Sequence, residues 1–178
     1  MELNQEQSME FKECVKRSLP PQANQAWLNS LHLLKITPSK VILGGVAITC
    51  NYSIDAHSDG DLIVHALIDA LLGAAGLGDI GTLYPSEDNK FKNISSRELL
   101  RDVVSKIKDA NYLIQNIDIT FIGQEPKLNR FIGKIRENLS QDLCIEIDSV
   151  NCKATTTDFL GFEGEKKGLS CHAVALID

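Results

Sequence analysis

Between Asp61 and Gly73 the chain reads DLIVHALIDALLG, and nearly every residue after Asp61 is apolar. A helix that is apolar all round cannot lie on a surface, so this one has to be sandwiched between other layers. The run nevertheless keeps Asp61, His65 and Asp69, spaced i, i+4 and i+8. At the helical period these three fall within an arc of about 80°, one seam on a buried rod. An unpaired buried charge is costly, so the seam must face water, another chain or a ligand. In one reading Asp61 and Ser58 cap the helix while Asp69 orients a satisfied histidine. In the other, His65 is a metal ligand backed by Asp69 or Asp61. The spacing leaves both open. The preceding His57-Ser58-Asp59-Gly60 sits where the free N–H groups of a helix start would face an anion.

The rest of the chain supplies the layers. VILGGVAIT (Val41–Thr49) reads as a strand broken by a Gly pair, the mark of a bulge or a close backbone approach. The central helix runs over residues 59–75 and ends at the glycines of GLGD. Ser95 to Glu98 forms a capping box for the next helix, whose apolar face is Leu99, Leu100, Val103, Val104 and Ile107. Residues 113–123 alternate as a half-buried strand, 127–143 form an amphipathic helix, and 150–156 and 169–177 are further strands. The order predicts a single α+β domain, a mixed sheet covered by helices on one face, in a ferredoxin-like arrangement. Residues 39–178 make up this domain. Residues 1–38 are a divergent N-terminal extension, with a short helix around Ser8–Arg17 and a helical reading for AWLNSLHLL (Ala26–Leu34).

Charge and composition narrow the function. A formal charge of −6 disfavours nucleic acid, whose binding rests on clustered Lys and Arg. An acidic chain that handles phosphates must recruit metal ions, helix N-termini or backbone N–H groups locally. No apolar run reaches the length of a membrane span, and Glu2, Glu6, Glu10 and Glu13 argue against a signal or transit peptide. Five scattered cysteines without a CxxC read as free thiols, and the expected location is the cytoplasm.

Four blocks occur in order: AHSDGDLIVHALIDALLGAAGLGDIG (Ala56–Gly81), SRELL (Ser96–Leu100), QEPKL (Gln124–Leu128) and NCKATTTDFLGFEGEKKG (Asn151–Gly168). Together they resemble the 2-C-methyl-D-erythritol 2,4-cyclodiphosphate synthase family of the non-mevalonate isoprenoid pathway. The resemblance implies a phosphorus–oxygen lyase, a homotrimer with sites between subunits. Its reaction closes 4-diphosphocytidyl-2-C-methyl-D-erythritol 2-phosphate into a cyclic diphosphate and releases CMP. It also implies zinc or another divalent metal, with magnesium or manganese, and no nucleic-acid or membrane partner. Carried over position by position, it implies His65, His32 and Asp158 as metal ligands, and His57 and Thr156 as catalytic groups. Ser58, Asp79, Ile80, Gly81, Tyr84 and Asp88 would hold the sugar end of the substrate. Gly123, Lys127, Leu128, Thr155, Thr157 and Phe162 would hold the nucleotide and diphosphate.

The chain also departs from the family pattern. The Asp-x-His motif that supplies two zinc ligands is missing, and the nearest segment puts Ser30 and His32 in its place. Ser86 replaces a carboxylate, Asp158 stands for a glutamate, and Glu165 replaces an arginine, with Lys166 and Lys167 beside it. These losses define an alternative: a catalytically impaired member acting as a trimeric nucleotide-binding or scaffold subunit.

Overall fold

The computed structural model describes residues 24–35, 39–54, 56, 58–91 and 93–178, with backbone alone for 24–35 and 39. Its main sheet has five strands: β1 (Asn24–Lys35), β4 (Ser53–Ile54), β5 (Ile114–Ile122), β6 (Val150–Thr155) and β7 (Gly168–Ile177). Their spatial order is β4-β1-β7-β5-β6. The β5–β6 pair is parallel and every other pair is antiparallel. A second sheet is the hairpin of β2 (Ser39–Leu43) and β3 (Val46–Cys50).

This is the expected mixed α+β domain, but it is not ferredoxin-like. A ferredoxin-like chain runs β-α-β-β-α-β. Here both helical crossovers precede β6 and β7, and β7 inserts between β1 and β5. On the covered face of β7, Leu169, Cys171, Ala173, Ala175 and Ile177 are buried. The small side chains in the middle of that row let a helix approach closely.

That helix is α1 (Leu62–Ala75), which packs on β1 and β7 and is covered further by β2 and by α3 (Ser96–Asp109). Ten of its fourteen residues are buried, so the sandwiching that its composition demands is met. Its C-cap is Gly76 at φ 69, and the cap N–H bonds the carbonyls of Leu72 and Gly73. Beside it, Ile117, Ile119 and Phe121 of β5 and Val150 and Cys152 of β6 extend the buried face of the sheet. The opposite face carries Asp118, Thr120, His172, Val174 and Leu176 and stays half-exposed.

Four local expectations are corrected. Residues 26–34 are not helical. They belong to β1, which forms a ladder with β7 from Asn24↔Ile177 to Leu33↔Gly168, and those long-range bonds override local preference. β1 therefore lies ahead of the expected domain start at residue 39. The Gly44-Gly45 pair is a close approach, as a Cβ on Gly44 would lie 2.4 Å from Ile135, but it is no bulge: it is the two-residue turn of the β2–β3 hairpin. Its φ values of 58 and 72 are what a type I′ turn requires. Ser95 makes no side-chain cap for α3. A distant residue does so, because Asp59 Oδ2 accepts the Ser96 N–H at 2.9 Å. Finally, α4 spans Ile132–Leu143 rather than starting at 127. Leu128 turns inward, and its carbonyl accepts the N–H groups of Phe131 and Ile132, closing the turn that starts the helix. The expected helix at Ser8–Arg17 lies outside the described residues. No described helix is long and apolar enough to cross a membrane.

Candidate functional site

The polar seam of α1 divides its labour in a way that spacing could not reveal. Asp61 is fully buried and caps the helix, its Oδ1 accepting Val64 N–H at 3.1 Å and Gly44 N–H at 2.8 Å. Its Oδ2 accepts Gly45 N–H at 2.6 Å, so one carboxylate fixes both the helix start and the hairpin turn. Burial pushes this carboxyl up to about 7, against the pull of the three N–H groups. Asp69 Oδ1 accepts Ile80 N–H at 2.7 Å. Its carboxyl is also raised, mainly by burial and further by the Asp79 charge, with the Ile80 N–H opposing.

Both readings of the seam placed a carboxylate behind His65, and the structure places two hydroxyls at its Nε2. His65 Nε2 stands 3.1 Å from Ser58 Oγ and 2.9 Å from Ser96 Oγ. Ser96 Oγ also bonds Asp59 Oδ1. A carboxylate only accepts, so the Ser96 proton goes to Asp59 and the Ser96 lone pair faces the imidazole. Two helix starts are thereby knotted together around His65. Asp59 and Ser96 were missed by sequence reasoning because no regular spacing links positions 59, 65 and 96.

His65 opens onto a cleft of about 450 Å³ that Ser58, Ile80, Gly81, Tyr84 and Ser86 also line. Asp79 caps the short helix α2 (Ile80–Leu83), its two oxygens accepting from the N–H and hydroxyl of Thr82 at 2.8 and 3.1 Å. That cap presents Ile80 and Gly81 to the cleft. Tyr84 donates to Asp102 at 2.5 Å and meets the Phe91 ring edge-on at 5.3 Å. Asp88 turns to Lys90 at 2.9 Å, and those bonds hold its carboxyl below the ordinary range.

A second hollow of about 280 Å³ lies at the far ends of β5 and β6, lined by Phe121, Gly123, Lys127, Leu128, Thr155 and Thr156. Gly123 N–H bonds Thr155 C=O at 3.1 Å, which joins its two walls. Among the described residues, the backbone groups of Gln124, Glu125 and Lys127 have no hydrogen-bond partner, and the buried Gln124 amide nitrogen has none either. Thr156 Oγ1 lies 3.3 Å from Asp158 Oδ1, and Thr157 Oγ1 donates to Leu160 C=O. Asp158 and Phe159 are both left-handed, at φ 52 and 66, and lead into α5 (Gly161–Gly164). Phe162 is exposed on α5. Lys166 pairs with Glu125 at 2.8 Å and Lys167 with Glu165 at 2.5 Å, so both cations beside the substituted Glu165 are engaged.

Among the described residues, no three of His, Cys, Asp and Glu cluster as a metal site would require. His65 Nε2 faces two hydroxyls, and Asp158 lies near Thr156 rather than in the His65 cleft. The described residues therefore fall short of a cation site by themselves. His57 and the side chain of His32 lie outside them.

The profile of the YgbB family matches residues 29–178. A 2-C-methyl-D-erythritol 2,4-cyclodiphosphate synthase of Photorhabdus laumondii is 53% identical over 137 residues, 77% of this chain and 87% of that one. The enzyme of the same name from Methylococcus capsulatus is 52% identical over the same length, again 77% and 87% of the two chains. Among solved structures, the bifunctional IspDF of Campylobacter jejuni superposes with a TM-score of 0.83 at 39% identity. The match covers 88% of this chain but only 42% of that longer one. The Plasmodium falciparum IspF–CDP complex gives 0.77 at 35% identity, covering 89% and 97%. With the fold, the ordered motifs and these relatives in agreement, the chain belongs to the YgbB family, that of the 2-C-methyl-D-erythritol 2,4-cyclodiphosphate synthases.

Proposed function

We propose that the chain cyclises 4-diphosphocytidyl-2-C-methyl-D-erythritol 2-phosphate to the 2,4-cyclodiphosphate with release of CMP, working as a homotrimer. One observation carries the proposal. The two sets of candidate residues line separate hollows that share no residue, one around His65 and one around Gly123 and Thr155. A substrate with a sugar phosphate at one end and a nucleotide at the other needs both sets. Assembly would supply them by setting the first hollow of one copy against the second hollow of another. The CDP bound to the Plasmodium relative supports a cytidine diphosphate-type ligand here.

In this reading, the 2-phosphate oxygen attacks the β-phosphorus, the bond from that phosphorus to the bridging oxygen breaks, and CMP leaves with the oxygen. No protein nucleophile is needed, so the chain's task is positioning and charge stabilisation. Ser58, Ile80 and Gly81 hold the erythritol end, with Asp79, Tyr84 and Asp88 shaping its surroundings. The free backbone groups of Gln124 to Lys127 read the base edge above Leu128, and Thr155 donates to the diphosphate. His57 and Thr156 donate where negative charge grows, while Thr157 and Phe162 shape the loop beside them. His65, Asp158 and His32 are the chain's candidate cation donors, and no step is routed through a metal.

The test is CMP release from this substrate with magnesium and zinc present, with the phosphorus product identified. Release together with the cyclic diphosphate is expected, and a chelator arm reads the cation dependence. CDP binding without any release from folded protein would overturn the reaction and leave a nucleotide-binding subunit.

A further inference from the structure

We infer that the ion pair between Lys166 and Glu125 is a latch that positions the nucleotide-binding loop, an inference that rests on the function proposed above. The loop from Gln124 to Arg130 is a wall with a hollow on either side. One is the nucleotide hollow; the other, of about 570 Å³, lies under the β2–β3 hairpin, and Pro126, Lys127 and Asn129 line both. Along that wall Gln124, Pro126 and Leu128 are buried, while Glu125 and Lys127 between them face outward. Its ends are fixed, by the Gly123–Thr155 bond and by the buried Leu128. Between them, Lys166 Nζ to Glu125 Oε1 at 2.8 Å is the one hydrogen bond or ion pair from another segment that reaches residues 124–127, among the described residues.

The other half of the latch is rigid. Gly164 packs so closely on Phe159 that an added Cβ would lie 2.2 Å from its carbonyl carbon. Glu163 of the same turn accepts from Ser170 of β7 at 2.7 Å, which ties the turn to the sheet. Lys166 follows at φ 58, with its N–H bonded to Glu163 C=O. The lysine is thus presented from a fixed turn to the outward carboxylate of the loop. Glu125 and Lys166 are positioning residues: they hold the free amides of the loop where a cytidine base would meet them.

The experiment measures CDP affinity by calorimetry, and KM and kcat by CMP release, for wild type, Glu125→Gln, Lys166→Gln and the reversed pair Glu125→Lys with Lys166→Glu. Both partners are partly exposed, so each single variant should weaken CDP and raise KM by about two- to fivefold with kcat kept. The reversed pair should return close to wild type, and the difference should shrink in high salt. Single variants that bind CDP like wild type, or a reversed pair as weak as the two singles combined, would overturn the latch. Wild type that binds CDP but forms no cyclic product overturns the proposed reaction, and the affinities still decide the latch. Wild type that does not bind CDP overturns the latch itself.

Discussion

Tyr52 is 4% exposed, and among the described residues its hydroxyl has no hydrogen-bond partner. Burial, helped by the nearby Glu125 charge, holds that phenol above its ordinary range, so it stays neutral and unsatisfied. Tyr52→Phe removes the unpaired group while keeping the ring, and should raise stability by about 1 kcal/mol in a urea titration. Asp61 poses the opposite problem. Its native pKa of about 7 lies above the ordinary 3.8, so its contribution to stability is complete below the unfolded value. That contribution is lost as pH climbs through 7. Unfolding free energy should therefore fall over this window with a slope of up to about 1.4 kcal/mol per pH unit from this group. In Asp61→Asn the slope should flatten. Equal slopes in the two proteins would show that the three N–H bonds outweigh burial. At the second hollow, Thr156→Val keeps the shape of the side chain and deletes the hydroxyl. If Thr156 donates to developing charge, kcat should drop about a hundredfold with CDP affinity little changed.

Among the elements, α1 was the most legible, because composition, an acidic N-cap and a C-terminal glycine all point the same way. The β2–β3 hairpin was less so: a Gly pair inside an apolar run read as a bulge or a close approach, and only the pairing of Leu43 with Val46 makes it a turn. β1 was misread because its ladder with β7 spans most of the chain length and leaves no local trace. The same limit hid Ser96, which reaches His65 from a different helix. The knuckle from Asp158 to Gly164 was visible only as a motif; its geometry depends on Gly164 against the Phe159 backbone. Gly164→Ala should strain that contact and cost about 1–3 kcal/mol of stability, read by thermal unfolding. A variant as stable as wild type would show that the knuckle gives way.

For the whole molecule, the half-exposed sheet face is the natural place for the copies that the proposed trimer requires. Val174 and Leu176 stand on that face beside His172 and Thr120. Val174→Glu should leave the covered face intact but place a charge where copies would meet. Analytical ultracentrifugation should then find smaller species, with turnover falling alongside. A trimer that survives the change would move the interface elsewhere.

The pairing of Asn24 with Ile177 has a consequence for how the chain is strung together. The first and last strands of the domain, β1 and β7, lie side by side, a few ångströms apart. Topologically the domain is nearly a ring. A linker of a few residues from Asp178 to Asn24 would complete it, and the chain could be cut at the turn near Glu146 to give a circular permutant with the same sheet. The order in which the segments are synthesised is thus separable from the order in which they pack.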